Sequence, residues 1–147
     1  TTPQTIDDTD AKILFSMANN AKVQISQSTL RTRKNRLKER RLFFGEFYQV
    51  NAAVLGMQTY EVLLSAKGAS QSFREALFDF ARAHKYIVHF VSCLGEWDYE
   101  IGIEVPDGRT LLATLQEITE KFGDQLVSVK TLSLFQNLKY SLFPFRS

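Results

Sequence analysis

Tyr99-Glu100-Ile101-Gly102-Ile103-Glu104-Val105 alternates large apolar residues with polar or small ones. A period of two sends successive side chains to opposite faces, so this stretch is predicted to be a strand buried on one side only. Its flanks share that character. Tyr86 to Cys93 is a second strand-like run, joined to the first by the tight connection Leu94-Gly95-Glu96-Trp97, and Thr59 to Ala66 is an earlier one. Between those two, after the turn Lys67-Gly68-Ala69-Ser70, Phe73, Ala76, Leu77, Phe80, Ala81 and His84 recur at helical spacing. Downstream, Pro106-Asp107-Gly108 breaks the strand, and Leu111, Leu112, Leu115, Ile118 and Phe122 mark a second helix ended by Gly123. Leu126 to Leu134 is a fourth strand, which Asn137 to Phe145 extends or follows.

The order β-α-β-β-α-β is the split βαβ of ferredoxin-like domains. Right-handed crossovers put both helices on one face of an antiparallel sheet. The other face is expected to be largely apolar and covered by a second copy of the chain, most simply in a symmetric homodimer.

The front of the chain differs in charge. Residues 1–51 carry nine Lys/Arg against five Asp/Glu, whereas residues 52–147 carry nine against eleven. Seven of the cations fall in Ser26-Gln27-Ser28-Thr29-Leu30-Arg31-Thr32-Arg33-Lys34-Asn35-Arg36-Leu37-Lys38-Glu39-Arg40-Arg41. A basic front of this kind is the electrostatic footprint of a binder of phosphate backbones, although most charge runs are no more than solvated helix faces. Thr5 to Asp10 reads as a helix start, with Asp7 as cap and Asp10 near the positive end of the dipole; Ile6, Ile13, Leu14 and Met17 give one buried face, and Asn19-Asn20 marks the end. Ser26 or Ser28 caps a second helix running to about Arg41. Leu42 to Val50 reads as a short hairpin or wing turning at Gly45, and Asn51 to Gly56 as a hinge.

Composition narrows the chemistry. With 147 residues, 44% of them hydrophobic, the chain can bury a core. No apolar run approaches the ~20 residues that span a bilayer, and no charged leader followed by an apolar segment opens the sequence, so neither membrane insertion nor secretion is expected. The lone Cys93 suits a reducing cytoplasm and reads as a core thiol. One Cys and two His (His84, His89) do not make a usual zinc site, so no metal and no cofactor is expected. His84 reads as packing or as a charge at a helix C-terminus. Phosphate-cradling, dinucleotide and nucleophile-elbow motifs are absent. Asp98, Glu100 and Glu104 share an alternation phase but read as outward solubilising charges rather than catalytic acids, since the sequence offers them no partner.

Two segments resemble one family. Ile6-Asp7-x-x-Asp10-x-x-Ile13-Leu14 followed by Asn20-Ala21-Lys22, and Ser26-x-x-Thr29-Leu30-x-x-Arg33-x-x-Arg36-Leu37 followed by Leu42-Phe43-x-Gly45, are similar to the opening helix, recognition helix and wing of the Lrp/AsnC (feast/famine) transcription regulators. Gly95-Glu96-Trp97-Asp98-Tyr99 is similar to the Gly-x-x-Asp-Tyr element of their effector domain. The resemblance implies an α+β chain: a winged helix-turn-helix-like DNA-binding region over 1–50, a linker over 51–58, and a ferredoxin-like ligand-binding and dimerisation domain over 59–147. It departs from the family at one place. The family has a short helix and tight turn between the equivalents of Val23 and Ile25, and about eight residues of that unit are absent here. Lys34 stands where the family prefers an apolar residue.

The resemblance implies a sequence-specific, cytoplasmic regulator, not an enzyme, that binds double-stranded DNA as a homodimer or a larger assembly such as an octamer. In a helix-turn-helix the N-terminal residues of the second helix meet base edges. Gln27, Ser28, Thr29 and Arg31 are the candidates for base readout, and Arg33, Lys34, Arg36, Lys38 and Arg40 for phosphates or solvent. Arg33 has a second candidate role, tying its helix to an acid of the first helix such as Asp10. The resemblance also implies that Gly95, Glu96, Trp97, Asp98 and Tyr99 shape a cleft for a small effector, usually an amino acid. Asp98 can equally cap a turn, and Tyr99 can equally pack in the sheet. An effector-binding and oligomerising module without specific DNA binding is the alternative.

Overall fold

The computed structural model describes residues 5–18, 22–45, 50–68 and 70–135. They divide into two compact units, the first ending before Val50 and the second beginning there.

In the first unit, α1 spans Asp8–Ala18 and α2 spans Gln27–Glu39. Asp7 opens α1 by accepting the amide of Asp10 at 2.8 Å. Ile13 is fully buried, whereas the Asn19-Asn20 stop lies outside the described residues. Ser26, not Ser28, caps α2: its Oγ accepts the Thr29 amide at 3.1 Å. The helix ends at Glu39, two residues before the sequence suggests. Arg41 takes a left-handed φ of 55°, so its amide bonds to Lys38 O and that of Leu42 to Leu37 O. This closing motif usually uses glycine, and a side chain there costs roughly 1 kcal/mol. Residues 22–26, on the near side of α2, form no helix. In the expected wing, residues 42–45 form no strand, and residues 46–49 lie outside the described residues.

The second unit starts with a short 3-10 turn, Ala52–Leu55, where the sequence suggests a hinge. There follow β1 Gln58–Ala66, α3 Gln71–Ala83, β2 Ile87–Ser92, β3 Tyr99–Val105, α4 Gly108–Phe122 and β4 Leu126–Leu134. The four strands form one antiparallel sheet in the order β2-β3-β1-β4. This is the ferredoxin-like arrangement that the sequence predicts. Ser70 and Asp107 cap α3 and α4 through the amides of Phe73 and Thr110. Gly123 does not adopt the left-handed cap; at φ −54° it leads into a 3-10 turn that delivers the chain to β4. The expected strand over Asn137 to Phe145 lies outside the described residues.

Both helices bury their apolar stripes against one sheet face. Phe73 and Leu77 of α3 and Ile118 and Phe122 of α4 pack on Val62, Leu64, Tyr99, Ile101, Ile103 and Val105. Phe73 stands edge-on to Tyr99 at 5.8 Å and to Phe122 at 5.9 Å. The opposite face is less apolar than expected. By register it carries Glu61, Leu63, Glu100, Gly102 and Glu104 on the two central strands and His89 and Lys130 on the edge strands, with exposed Val91, Leu132 and Leu134 among the same rows. Cys93 is half-buried just beyond β2 rather than in the core.

Phe73 joins both helices to the sheet. Replacing it with Ala is expected to cost the second unit about 3–5 kcal/mol, measured by denaturant unfolding monitored in the far ultraviolet.

Candidate nucleic-acid interface

The geometry of the first unit is set by charges. The Asp10 side chain is 1% exposed, and Arg33 Nη1 reaches its Oδ1 at 3.0 Å. The same nitrogen bonds to Asp7 Oδ2. Arg40, two turns along α2, lies 3.8 Å from Asp10 Oδ2 and donates to the carbonyl of Thr5. Arg33 therefore takes the second of its two candidate roles, and its guanidinium belongs to α1. With Leu30 and the fully buried Leu37, these residues define the inner face of α2.

The other face is open. Gln27, Ser28, Thr29, Arg31, Arg36 and Lys38 are exposed. The hydroxyls of Ser28 and Thr29 both lie against Ser26 Oγ, at 2.9 and 2.8 Å, so they are partly occupied by the cap. Gln27, Leu30, Arg31, Lys34, Asn35 and Lys38 line a shallow open groove of about 240 Å³ along the helix. Lys34 and Lys38 place their ammonium groups 5.8 and 5.5 Å from the Phe43 ring centroid. Such contact lets an aliphatic stem cover apolar surface while the charge stays near water. That explains a lysine where the family prefers an apolar residue. Asn35 was missing from the sequence-derived candidates, although its position one turn after Arg31 would have found it.

The Gly95–Tyr99 loop joins β2 to β3 in the second unit. Gly95 is exposed with φ 153°. Asp98 knits the loop to its neighbours: its Oδ2 accepts the Ala66 amide at 2.7 Å, its amide donates to Leu64 O at 2.9 Å, and its carbonyl accepts from Cys93 at 2.8 Å. Tyr99 is 2% exposed and stacks on Phe90 at 5.6 Å. Burial, with the nearby Asp98 charge, pushes its phenol above the ordinary value. Glu96 is exposed and pairs with Lys130 at 3.0 Å. Trp97 Nε1 is buried without a hydrogen-bond partner among the described residues.

Strand pairing brings together three further side chains that no sequence motif links. His89 Nε2 lies 3.0 Å from Glu61 Oε2 and 3.9 Å from Glu100 Oε1, on the outward sheet face. Glu100 thus has a partner that its own strand does not supply. His84, at the end of α3, is half-buried and 3.4 Å from Glu117.

No protein-family model and no curated protein sequence matches the chain. Solved structures do. An AsnC family transcriptional regulator from Agrobacterium tumefaciens aligns over 93% of this chain and 95% of its own, with TM-score 0.76 and 16% identity. A transcriptional regulator from Neisseria meningitidis, in complex with L-Met, aligns over 95% and 96%, with TM-score 0.77 and 16% identity. E. coli AsnC aligns over 93% and 97%, with TM-score 0.68 and 19% identity. The chain therefore has the α+β fold of AsnC-type and Lrp-type regulators, as the sequence resemblance implies. No helix among the described residues is long and apolar enough to cross a membrane.

Two outcomes follow for the first unit. Asp10→Ala removes the buried carboxylate that Arg33 and Arg40 share, leaving Arg33 paired with Asp7 alone, and is expected to cost about 1–3 kcal/mol, measured by thermal and denaturant unfolding. Arg33 holds the Asp7 carboxyl below its ordinary 3.8, with the Asp10 amide helping. A depressed carboxylate stabilises the fold above its unfolded pKa, and that contribution fades as pH falls through the folded one. Asp7→Asn is thus expected to lower the thermal midpoint at neutral pH, and its difference from the parent is expected to shrink steadily as pH falls through the acid range.

Proposed function

We propose that the chain is a sequence-specific DNA-binding transcriptional regulator of the Lrp/AsnC type, acting in the cytoplasm. Residues 1–50 serve as the DNA-binding region, 51–58 as linker and 59–147 as the effector and oligomerisation domain. The observation that carries this reading is the division of labour on α2. Arg33 and Arg40 are turned inward on Asp10, while Gln27, Arg31, Asn35 and Lys38 form an exposed row. A helix held by one face and presenting polar and cationic groups on the other is suited to the major groove. In this reading Arg31, exposed on that row, makes a bidentate contact to guanine and Lys38 meets a phosphate.

In the second unit, Asp98 and Tyr99 hold the loop, leaving the Gly95 backbone and the Trp97 indole nitrogen, unpaired among the described residues, for a small effector, with the exposed Glu96 shared with Lys130. An amino acid fits those groups, with a carboxylate on backbone amides and an ammonium on a carboxylate. The L-Met bound by the Neisseria relative supports that ligand class. Exposed Val91, Leu132 and Leu134 favour association of protomers through the outward sheet face. Ligand at an interprotomer cleft alters DNA binding only if it prefers one assembly over another.

One observation favours a second reading, an effector-binding and oligomerising module without specific DNA recognition. Residues 22–26 run into α2 without the positioning helix that the family has at this point.

A mobility-shift assay on matched and scrambled operators separates the two. Arg31→Ala is expected to lose affinity for the matched operator by about tenfold or more while binding scrambled DNA nearly as before; Lys38→Ala is expected to weaken both alike. Equal losses on both DNAs for Arg31→Ala would contradict base readout. Parent protein that never distinguishes the operators would favour the module.

A further inference from the structure

Gly102 sits in the middle of β3, with Glu61 of β1 as its register partner on one side and His89 of β2 on the other. Glycine weakens a strand interior and often marks a close approach. Here the approach is visible: a Cβ at residue 102 would clash with the His89 ring. The imidazole lies across the bare backbone of β3 and reaches the Glu61 carboxylate on the far strand at 3.0 Å. Glu100, one step along the same face, completes the group at 3.9 Å. One nitrogen and two carboxylate oxygens from three strands lie within 4.8 Å of one another.

His89 is the one basic side chain that meets the two carboxylates among the described residues. Among the described residues no lysine or arginine pairs with either carboxylate, and Lys130 is engaged by Glu96. Glu61 Oε2 is buried and has no well-formed hydrogen bond, so the approach of His89 is one of charge and distance rather than good geometry. Burial pushes the Glu61 carboxyl above its ordinary value, against the opposing pull of His89. A cation between the three groups would satisfy that oxygen and offset the repulsion between the carboxylates.

We propose that Glu61, His89 and Glu100 form a binding site for a divalent first-row transition ion, with zinc as its representative. Bonds of about 2.0–2.2 Å to imidazole and carboxylate hold neighbouring ligand atoms roughly 3–3.5 Å apart, which is the spacing of His89 and Glu61 and near that of His89 and Glu100. Imidazole beside two carboxylates suits zinc, manganese or iron; magnesium and calcium prefer oxygen alone. Three protein ligands leave a coordination position for water or another donor. The sheet supplies the rigidity: each ligand projects from a paired strand, and Gly102 provides the clearance that lets His89 lie flat.

The test uses the full chain, freed of metal by a chelator and titrated with zinc chloride by calorimetry, with cobalt(II) absorption as a second readout. One zinc per chain is expected. Glu61→Gln, His89→Gln and Gly102→Ala should each weaken binding by at least about tenfold, with folding checked by circular dichroism. Gly102→Ala touches no ligand yet displaces the ring. His84→Gln, which removes the other histidine, and Glu104→Gln should leave binding unchanged. Absence of stoichiometric zinc binding in the parent would overturn the proposal, as would binding that survives both Glu61→Gln and His89→Gln or follows His84 instead. Because zinc is read without DNA, failure here leaves the proposed regulator role standing, and the reverse holds as well.

Discussion

A buried carboxylate governs the first unit. Moving an ionised Asp10 out of water costs several kcal/mol unless cations and hydrogen bonds offset it, and the arginines that do so are Arg33 of α2 and Arg40, which caps its C-terminus. That requirement fixes the rotation of α2 about its own axis. At roughly 100° per residue, Arg31 and Asn35 fall about 160° from Arg33, so the side that faces Asp10 and the side that faces outward are set by one choice. Leu37, fully buried on the inner side, adds an apolar anchor. The exposed cations of α2 are therefore presented by a helix whose orientation is fixed by electrostatics more than by a broad hydrophobic stripe.

The second unit uses other means. Its sheet is held to two amphipathic helices by an aromatic and aliphatic layer in which Phe73, Tyr99 and Phe122 meet edge to face. Tyr99 ends the β2–β3 loop and begins the core, so the position of the loop is tied to the packing of the sheet. Asp98 reinforces this with three hydrogen bonds to β1 and to the end of β2. The loop is thus anchored at one end, with Gly95 and Glu96 exposed and the Trp97 indole nitrogen unpaired among the described residues.

Most of the fold was legible in the sequence because it depends on local periodicities. The alternation of Tyr99–Val105 and the run Leu126–Leu134 gave strands at their observed limits, and the stripes through Phe73 and Ile118 gave the helices. Residues with special backbone roles were harder to read. Arg41 closes α2 where a glycine would be expected, while Gly123 declines the left-handed conformation that ends many helices. The pairing of Arg33 with Asp10 is one of the two roles that the sequence allows Arg33, since the two carry opposite charge on neighbouring helices. The Glu61–His89–Glu100 group was not. It exists only because the register places Glu61 and His89 on either side of Gly102, and register is a property of strand pairing that no single strand encodes. The polar centre of the outward face was missed for the same reason.

The regulator reading rests on α2 gripping duplex DNA through its outward face, and fluorescence anisotropy of the full chain on a labelled duplex across a salt series tests it most directly. Neutralised phosphates release counterions, so the logarithm of affinity should fall linearly with the logarithm of salt, by about 0.9 for each phosphate contacted, and Lys38→Ala should reduce that slope by nearly one contact. A chain that leaves the duplex unbound even at low ionic strength, or binds with no dependence on salt, would contradict the account.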